Sequence, residues 1–171
     1  TSLVTYRCNS TGVWLHIYHL ETKEITILNN VCQGSGNQLR AVEISEDGKT
    51  IYLGAYGINH MSLYDVTAGK IVKQFGTYSH QIEGLHLYDG VLYAGNYGAG
   101  GMSIIDPEKG TYQQLFQLEE SAFYQERMHA FTSGDGMVFA GTAPRKGRIG
   151  GVLTWYDIDE NRIYVAAGPD K

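Results

Sequence analysis

The chain has 171 residues, with 13 Lys and Arg against 18 Asp and Glu, for a net charge of −5. It carries 22 Gly, 13 Tyr, 3 Pro and 2 Cys, a composition that suits an all-β chain. No apolar run approaches the roughly 18 residues of a membrane-crossing helix, and no basic stripe speaks for a nucleic-acid partner.

In chain order, residues 3–6 and 12–18 read as the second and third strands of a four-stranded unit with no first strand before them. Asn9-Ser10-Thr11 between them matches a glycosylation acceptor, a short and common pattern. Cys8 and Cys32 are too few for a disulfide framework or a zinc site. They follow strands that are not neighbours and read as free thiols, with a disulfide as the alternative.

A phrase then occurs three times. Asp47-Gly48 is followed by Ile51-Tyr52-Leu53-Gly54 and Leu63-Tyr64-Asp65. Asp89-Gly90 is followed by Leu92-Tyr93-Ala94-Gly95 and Ile104-Ile105-Asp106, and Asp135-Gly136 by Val138-Phe139-Ala140-Gly141 and Trp155-Tyr156-Asp157. The turn glycine recurs at 48, 90 and 136, the length of one propeller blade. The predicted fold is an all-β propeller of about four blades of four-stranded antiparallel sheet, at about 1–33, 34–78, 79–124 and 125–171. It is expected to be a partial propeller, completed by the remaining blades of a longer chain or by a second copy.

The turns sort by face. Asp-Gly at 47, 89 and 135 supplies the positive φ of tight hairpins, and Thr67-Ala68-Gly69, Pro107-Glu108-Lys109-Gly110 and Asp159-Glu160-Asn161 close the other hairpin of each blade. All of these short turns fall at one face. The irregular segments 29–38, 55–60, 76–81, 96–100, 117–126 and 142–150 fall at the other, with a single helical turn expected within 119–124. Function is sought on that loop-rich face.

Alignment on the Asp-Gly turns makes Leu39, Gln81 and Arg127 equivalent, and likewise Ala41, Glu83 and His129. With a period of two, both sets point to one side at the start of the innermost strands. Polar residues there either solvate a wet channel, bind a ligand at its mouth, or hold a metal through His80, Glu83 and His129. The loops add Tyr56, Asn59 and His60, then Asn96 and Tyr97, then Arg145, Lys146 and Arg148. The tyrosines either pack between blades or face a ligand. The three cations are solvated, paired, or aimed at a carboxylate or sulfate, with Glu119, Glu120 and Glu126 close enough in sequence to neutralise them.

In Gln81-Ile82-Glu83-Gly84, in Leu92-Tyr93-Ala94-Gly95-Asn96-Tyr97, and in Gln125-Glu126-Arg127 followed by Gly150-Gly151-Val152-Leu153-Thr154, the chain resembles bacterial propeller-repeat proteins, which are often secreted or surface-attached. It also looks like WD-repeat proteins over residues 34–171. Tyr64-Asp65 and Tyr156-Asp157 stand where that family has Trp-Asp, and its Gly-His dipeptide is absent. Some propellers resembling it are polysaccharide or lactone lyases that use His, Tyr and Arg. That resemblance implies a candidate chemistry in which Arg127 neutralises a substrate carboxylate, His129 or His80 removes the α-proton, and Tyr97 protonates the leaving oxygen. Gln81 and Glu83 would orient sugar hydroxyls or hold an ion, with Tyr56, His60, Asn96, Arg145 and Arg148 as further ligand contacts.

No nucleotide-binding loop, Gly-x-Ser-x-Gly elbow or His-Glu-x-x-His motif occurs. No cofactor is assigned. The expected function is recognition of a carbohydrate or other small polar or anionic ligand, with a lyase-like activity as one form of it. A non-catalytic protein-interaction module is the alternative.

Overall fold

The computed structural model describes residues 2–9, 12–29, 31, 38–56, 60–76, 81–98, 100–118 and 123–167. Among them are fifteen strands and no helix. The strands are β1 (Ser2–Asn9), β2 (Gly12–His19), β3 (Ile25–Asn29), β4 (Gln38–Ile44), β5 (Thr50–Tyr56), β6 (His60–Asp65), β7 (Lys70–Gly76) and β8 (Ile82–Tyr88). They continue with β9 (Val91–Asn96), β10 (Met102–Asp106), β11 (Thr111–Phe116), β12 (Gln125–Gly134), β13 (Met137–Pro144), β14 (Val152–Asp157) and β15 (Arg162–Ala167). They form one three-stranded sheet, β1-β2-β3, and three four-stranded sheets, β4 to β7, β8 to β11 and β12 to β15, each in sequence order and antiparallel. This is the propeller arrangement that the repeat predicts. The helical turn expected within 119–124 and the pairing of Cys8 with Cys32 fall on residues that lie partly outside the description. Cys8 itself is a half-buried free thiol.

The aspartate of the repeated phrase has a turn to close. Asp65 Oδ1 accepts from the backbone N–H groups of Thr67 and Ala68, both at 2.8 Å. Asp106 and Asp157 do the same for Lys109 and Glu160, each at 2.9 Å. Four residues after each aspartate the chain turns left-handed, at Gly69 (φ 64°), Gly110 (φ 72°) and Asn161 (φ 50°). Asp89 (φ 49°) and Asp135 (φ 51°) share positive φ with the glycines that follow them, as a two-residue hairpin requires. The turn at 47 differs from expectation. Only Gly48 is left-handed, and Asp47 Oδ1 instead accepts from Lys49 N–H at 3.0 Å and from Ser45 Oγ at 2.7 Å in a longer loop.

Alternation on the strands creates three apolar layers, each between successive sheets. Val13, Leu15 and Ile17 meet Leu39, Ile51 and Leu53. Met61 meets Ile82, Leu85 and Ile105, and Tyr93 and Met102 meet Met128, Val138 and Tyr156. Burying side chains of this size contributes about 1.5–3 kcal/mol each, so the blades are held by one another. The joints also need close backbone approach. A Cβ on Gly54 would stand 2.6 Å from Ile82 Cγ2, and one on Gly95 would stand 2.3 Å from the Met128 carbonyl oxygen. The glycine closing the phrase Leu-Gly or Ala-Gly is thus the seat of the next blade's innermost strand.

Candidate functional site

β4 lies against β8 and β8 against β12, which makes these the inner strands. Each carries a β-bulge near its start. On β4, Leu39 pairs with Ala55 and Ala41 with Gly54, which makes Arg40 the extra residue of the bulge. On β8 the same slip leaves Glu83 between Ile82 and Gly84, and on β12 it leaves His129 between Met128 and Ala130. A bulge of this kind re-aims the extra side chain. In three consecutive blades that residue is charged or titratable.

The bulges correct the alignment drawn from the Asp-Gly turns. By strand pairing, Gln38 and not Leu39 matches Gln81 and Arg127, and Arg40 and not Ala41 matches Glu83 and His129. The β4–β5 turn is longer than the two-residue turns of the other blades, so that Asp47 lies nine residues after Gln38 where Asp89 and Asp135 lie eight after Gln81 and Arg127, which displaced the register by one. Leu39 is a core residue, 1% exposed. Gln38 and Arg40 are therefore site residues that the sequence reading missed, and the guanidinium of Arg40 donates to Gln38 Oε1 at 3.3 Å.

Glu83 is the hub, its side chain only 2% exposed. Oε1 accepts from Gln81 Nε2 at 2.5 Å and from Arg127 Nη1 at 3.1 Å. Oε2 lies 3.4 Å from His129 Nδ1. Arg127 is further fixed by Tyr97, whose ring centroid is 4.3 Å from the guanidinium carbon, and by Glu126 at 3.9 Å. Tyr97 is itself placed by backbone bonding between blades: its N–H donates to Gln81 O at 2.9 Å, and it bridges Arg127. Gly84 makes the approach possible, since a Cβ there would meet His129 O at 2.6 Å.

The first blade reaches the same place through Tyr6. Its hydroxyl donates to the Arg40 carbonyl at 3.3 Å. Burial pushes this hydroxyl up from 10.0, with Cys8 adding to the rise, Arg40 opposing it and Glu83 adding again. Arg40 and Glu83 thus both act on Tyr6, and Glu83 in turn holds Arg127 and His129, which links groups from all four sheets. The Glu83 carboxylate is buried, while the side chains of Arg127 and His129 are 32% and 44% exposed. A buried carboxylate that fixes one edge of a guanidinium and one nitrogen of an imidazole leaves the other edges directed outward.

The remaining sequence-predicted residues divide. Gln81, Glu83, Tyr97, Arg127 and His129 are brought together. Asn96 is not: it is 1% exposed inside its blade, where Nδ2 donates to Ser103 Oγ at 2.7 Å and to Tyr112 Oη at 3.1 Å. Strand alternation turns it inward, away from the loop face. Arg145 and Arg148 lie in the exposed β13–β14 loop, closed by the Arg148 N–H donating to Arg145 O at 2.9 Å. There Arg148 stacks over Tyr124, 4.5 Å from its ring centroid. Tyr56 closes β5 and His60 opens β6. Asn59 and His80 lie outside the described residues. Among the described residues, no group of three or more His, Cys, Asp and Glu is gathered for a metal.

No protein-family model matches this sequence, and no curated protein matches it. Solved structures do. The crystal structure of the RRP9 WD40 repeats is similar over 98% of this chain and 48% of that one, with a TM-score of 0.71 at 14% identity. A chain from the crystal structure of the mitotic checkpoint complex is similar over 96% of this chain and 45% of that one, with a TM-score of 0.68 at 14% identity. The computationally designed Ika4 protein is similar over 80% of this chain and 76% of that one, with a TM-score of 0.57 at 18% identity. At these identities the likeness concerns the fold, a WD40-type propeller. The chain spans about half the length of the first two structures.

Proposed function

We propose that this chain forms the ligand-binding part of a propeller and recognises a small polar, anionic ligand where its inner strands begin, an acidic carbohydrate being the class that best fits the groups present. The observation that carries the reading is the bulge recurring at Arg40, Glu83 and His129, which sets a polar side chain at the same register position of three inner strands, two of these side chains in contact. Arg127 and His129 donate to the ligand's carboxylate or sulfate, Gln38 and Gln81 to its hydroxyls, and Glu83 keeps both donors oriented. The same groups would serve elimination. The His129 nitrogen opposite Glu83 takes the proton α to a carboxylate, Arg127 stabilises the charge that develops, and Tyr97 protonates the leaving oxygen. Binding rests on fewer assumptions than turnover and is the form proposed.

A protein-interaction module is the second reading. It is favoured by the likeness to a propeller chain from a complex, the mitotic checkpoint complex. In either case further blades, of a longer chain or of a second copy, are proposed as structural partners.

Calorimetry with glucuronate, sulfate and glucose tests the first reading. Glucuronate and sulfate are expected to bind and glucose to bind more weakly. His129→Ala should weaken binding about 10- to 100-fold, the loss of one charge-assisted hydrogen bond of about 1.5–3 kcal/mol. Equal affinity in wild type and variant, or no affinity for either anion, would refute it.

A further inference from the structure

At both joints between the four-stranded blades, a small residue on the second strand receives the next blade's inner strand. Gly54, paired with Met61, seats Ile82, and Gly95, paired with Met102, seats the backbone of Met128. Met61 and Met102 are completely buried as a result. Gly141 occupies the same register position on β13, paired with Leu153. A Cβ built there meets only Ala130, at 3.8 Å, and Leu153 is 48% exposed. Around it lies a cavity of about 250 Å³ lined by Ala130, Phe131, Phe139, Ala140, Gly141 and Leu153. Beside it, Phe139 packs on Trp155 at 6.2 Å, and Trp155 stacks on Tyr164 at 5.4 Å with the planes 10° apart.

We infer that this face of the β12–β15 sheet is a docking surface for the inner strand of a further propeller blade, whose aliphatic side chain just before its bulge sits on Gly141. The inference builds on the structural-partner reading and is independent of the ligand reading. The chain supplies the template for the occupant. The residue before the bulge is Leu39, Ile82 or Met128 in the three inner strands, each at most 1% exposed. The first blade of a second copy does not fit, because among the described residues its sheet contains only β1, β2 and β3 and has no inner strand with such a side chain. The occupant is therefore a four-stranded blade beyond those described here. An apolar groove bounded by aromatics and floored by a glycine matches a strand carrying Leu, Ile or Met and excludes a charged one.

The test supplies such a blade. Residues 77–124 of the same sequence are appended after Lys171, in a Trp14→Phe background that leaves Trp155 as the single tryptophan. Docking of the added blade should shift Trp155 emission to the blue and protect the amides of β13 and β14 from hydrogen exchange. Gly141→Val should reverse both effects in the extended chain and leave the unextended chain unchanged, since that site is open there. A second extension with residues 125–167, carrying Met128 and with its own copy of Trp155 changed to Phe, guards against failure of the first to fold. If a folded extension of either kind leaves Trp155 and Leu153 exposed, or if neither extension changes them, the inference is wrong. It is equally wrong if the unextended chain dimerises in sedimentation and Leu153→Glu separates the dimer, because the face would then belong to a second copy.

Discussion

The two ends of the inner strands are both spanned by polar networks, and they differ in what they leave over. Toward the Asp-Gly turns, Glu43 accepts from the N–H groups of Ile44 at 2.9 Å and Leu87 at 3.1 Å. Its Oε2 faces His86 Nδ1 at 3.7 Å, His86 Nε2 meets Ser133 Oγ at 2.9 Å, and the imidazole stacks on Phe131 with the planes 16° apart. Both nitrogens of His86 and both oxygens of Glu43 are engaged across three blades. Toward the loops, Glu83 is as fully engaged, but its partners are less so: Arg127 and His129 each meet it through one edge, and their side chains stay 32% and 44% exposed although Arg127 also contacts Tyr97 and Glu126. The first network is closed and fastens blades. The second is open and carries a bulge, absent at the other end, that re-aims Glu83 and His129.

Substitutions should separate the two roles. The largest loss of stability is expected from Gly95→Val, which damages the joint beneath both networks. Its Cβ would press on the Met128 carbonyl oxygen, a backbone atom that cannot rotate away. Urea denaturation should show a loss of about 3 kcal/mol, at the upper end for overpacking. Next is Glu83→Gln, which leaves Arg127 without its buried counter-charge. About 2 kcal/mol is expected, less than the about 3–5 of a fully buried pair because one third of Arg127 stays in water. Arg127→Ala should cost a similar amount, and a double-mutant cycle should show the two losses to be less than additive.

Ser133→Ala removes one neutral hydrogen bond from the closed network. It should cost about 1 kcal/mol while leaving affinity for glucuronate unchanged. His129→Ala reverses that pattern, with stability within about 0.5 kcal/mol of wild type and affinity reduced. The smallest effect belongs to a turn. Side-chain and then backbone hydrogen bonds from Lys109 hold the Asp106 carboxyl below its ordinary 3.8. Such a depressed group contributes stability above the unfolded value and loses it as pH falls through the folded one. The midpoint of thermal unfolding should therefore fall less between pH 6 and pH 3 in Asp106→Asn than in wild type.

Much of the fold was legible because its repeated residues each have a local task. Asp65, Asp106 and Asp157 cap turns, Asp89 and Asp135 take up positive φ, and Gly54 and Gly95 seat a neighbouring strand. Such tasks leave a fixed spacing that can be read without coordinates. Glu83, Arg127 and His129 were legible for a related reason: a polar residue recurring where strand alternation calls for an apolar one stands out. The error at Leu39 and Ala41 arose because the longer β4–β5 turn puts one more residue before Asp47 than stands before Asp89 or Asp135, and that residue has no composition of its own to betray it. That shift concealed Gln38 and Arg40. Asn96 misled because its place just after Tyr93-Ala94-Gly95 of the repeated phrase resembles a loop, while its amide donates to Ser103 and Tyr112 inside the blade. Tyr6 gave no signal, since its approach to Arg40 depends on how two sheets pack.

The contrast between the two imidazoles offers the most direct measurement. Histidine side-chain NMR spectra, assigned through His86→Gln and His129→Gln, would be followed while glucuronate is titrated at fixed pH. The account expects the His129 ring resonances to move saturably, because His129 belongs to the open network, and those of His86 to stay in place, because both its nitrogens are engaged. Equal movement of both, or movement of neither while the protein remains folded, would contradict the claim that the bulged residues form a ligand site.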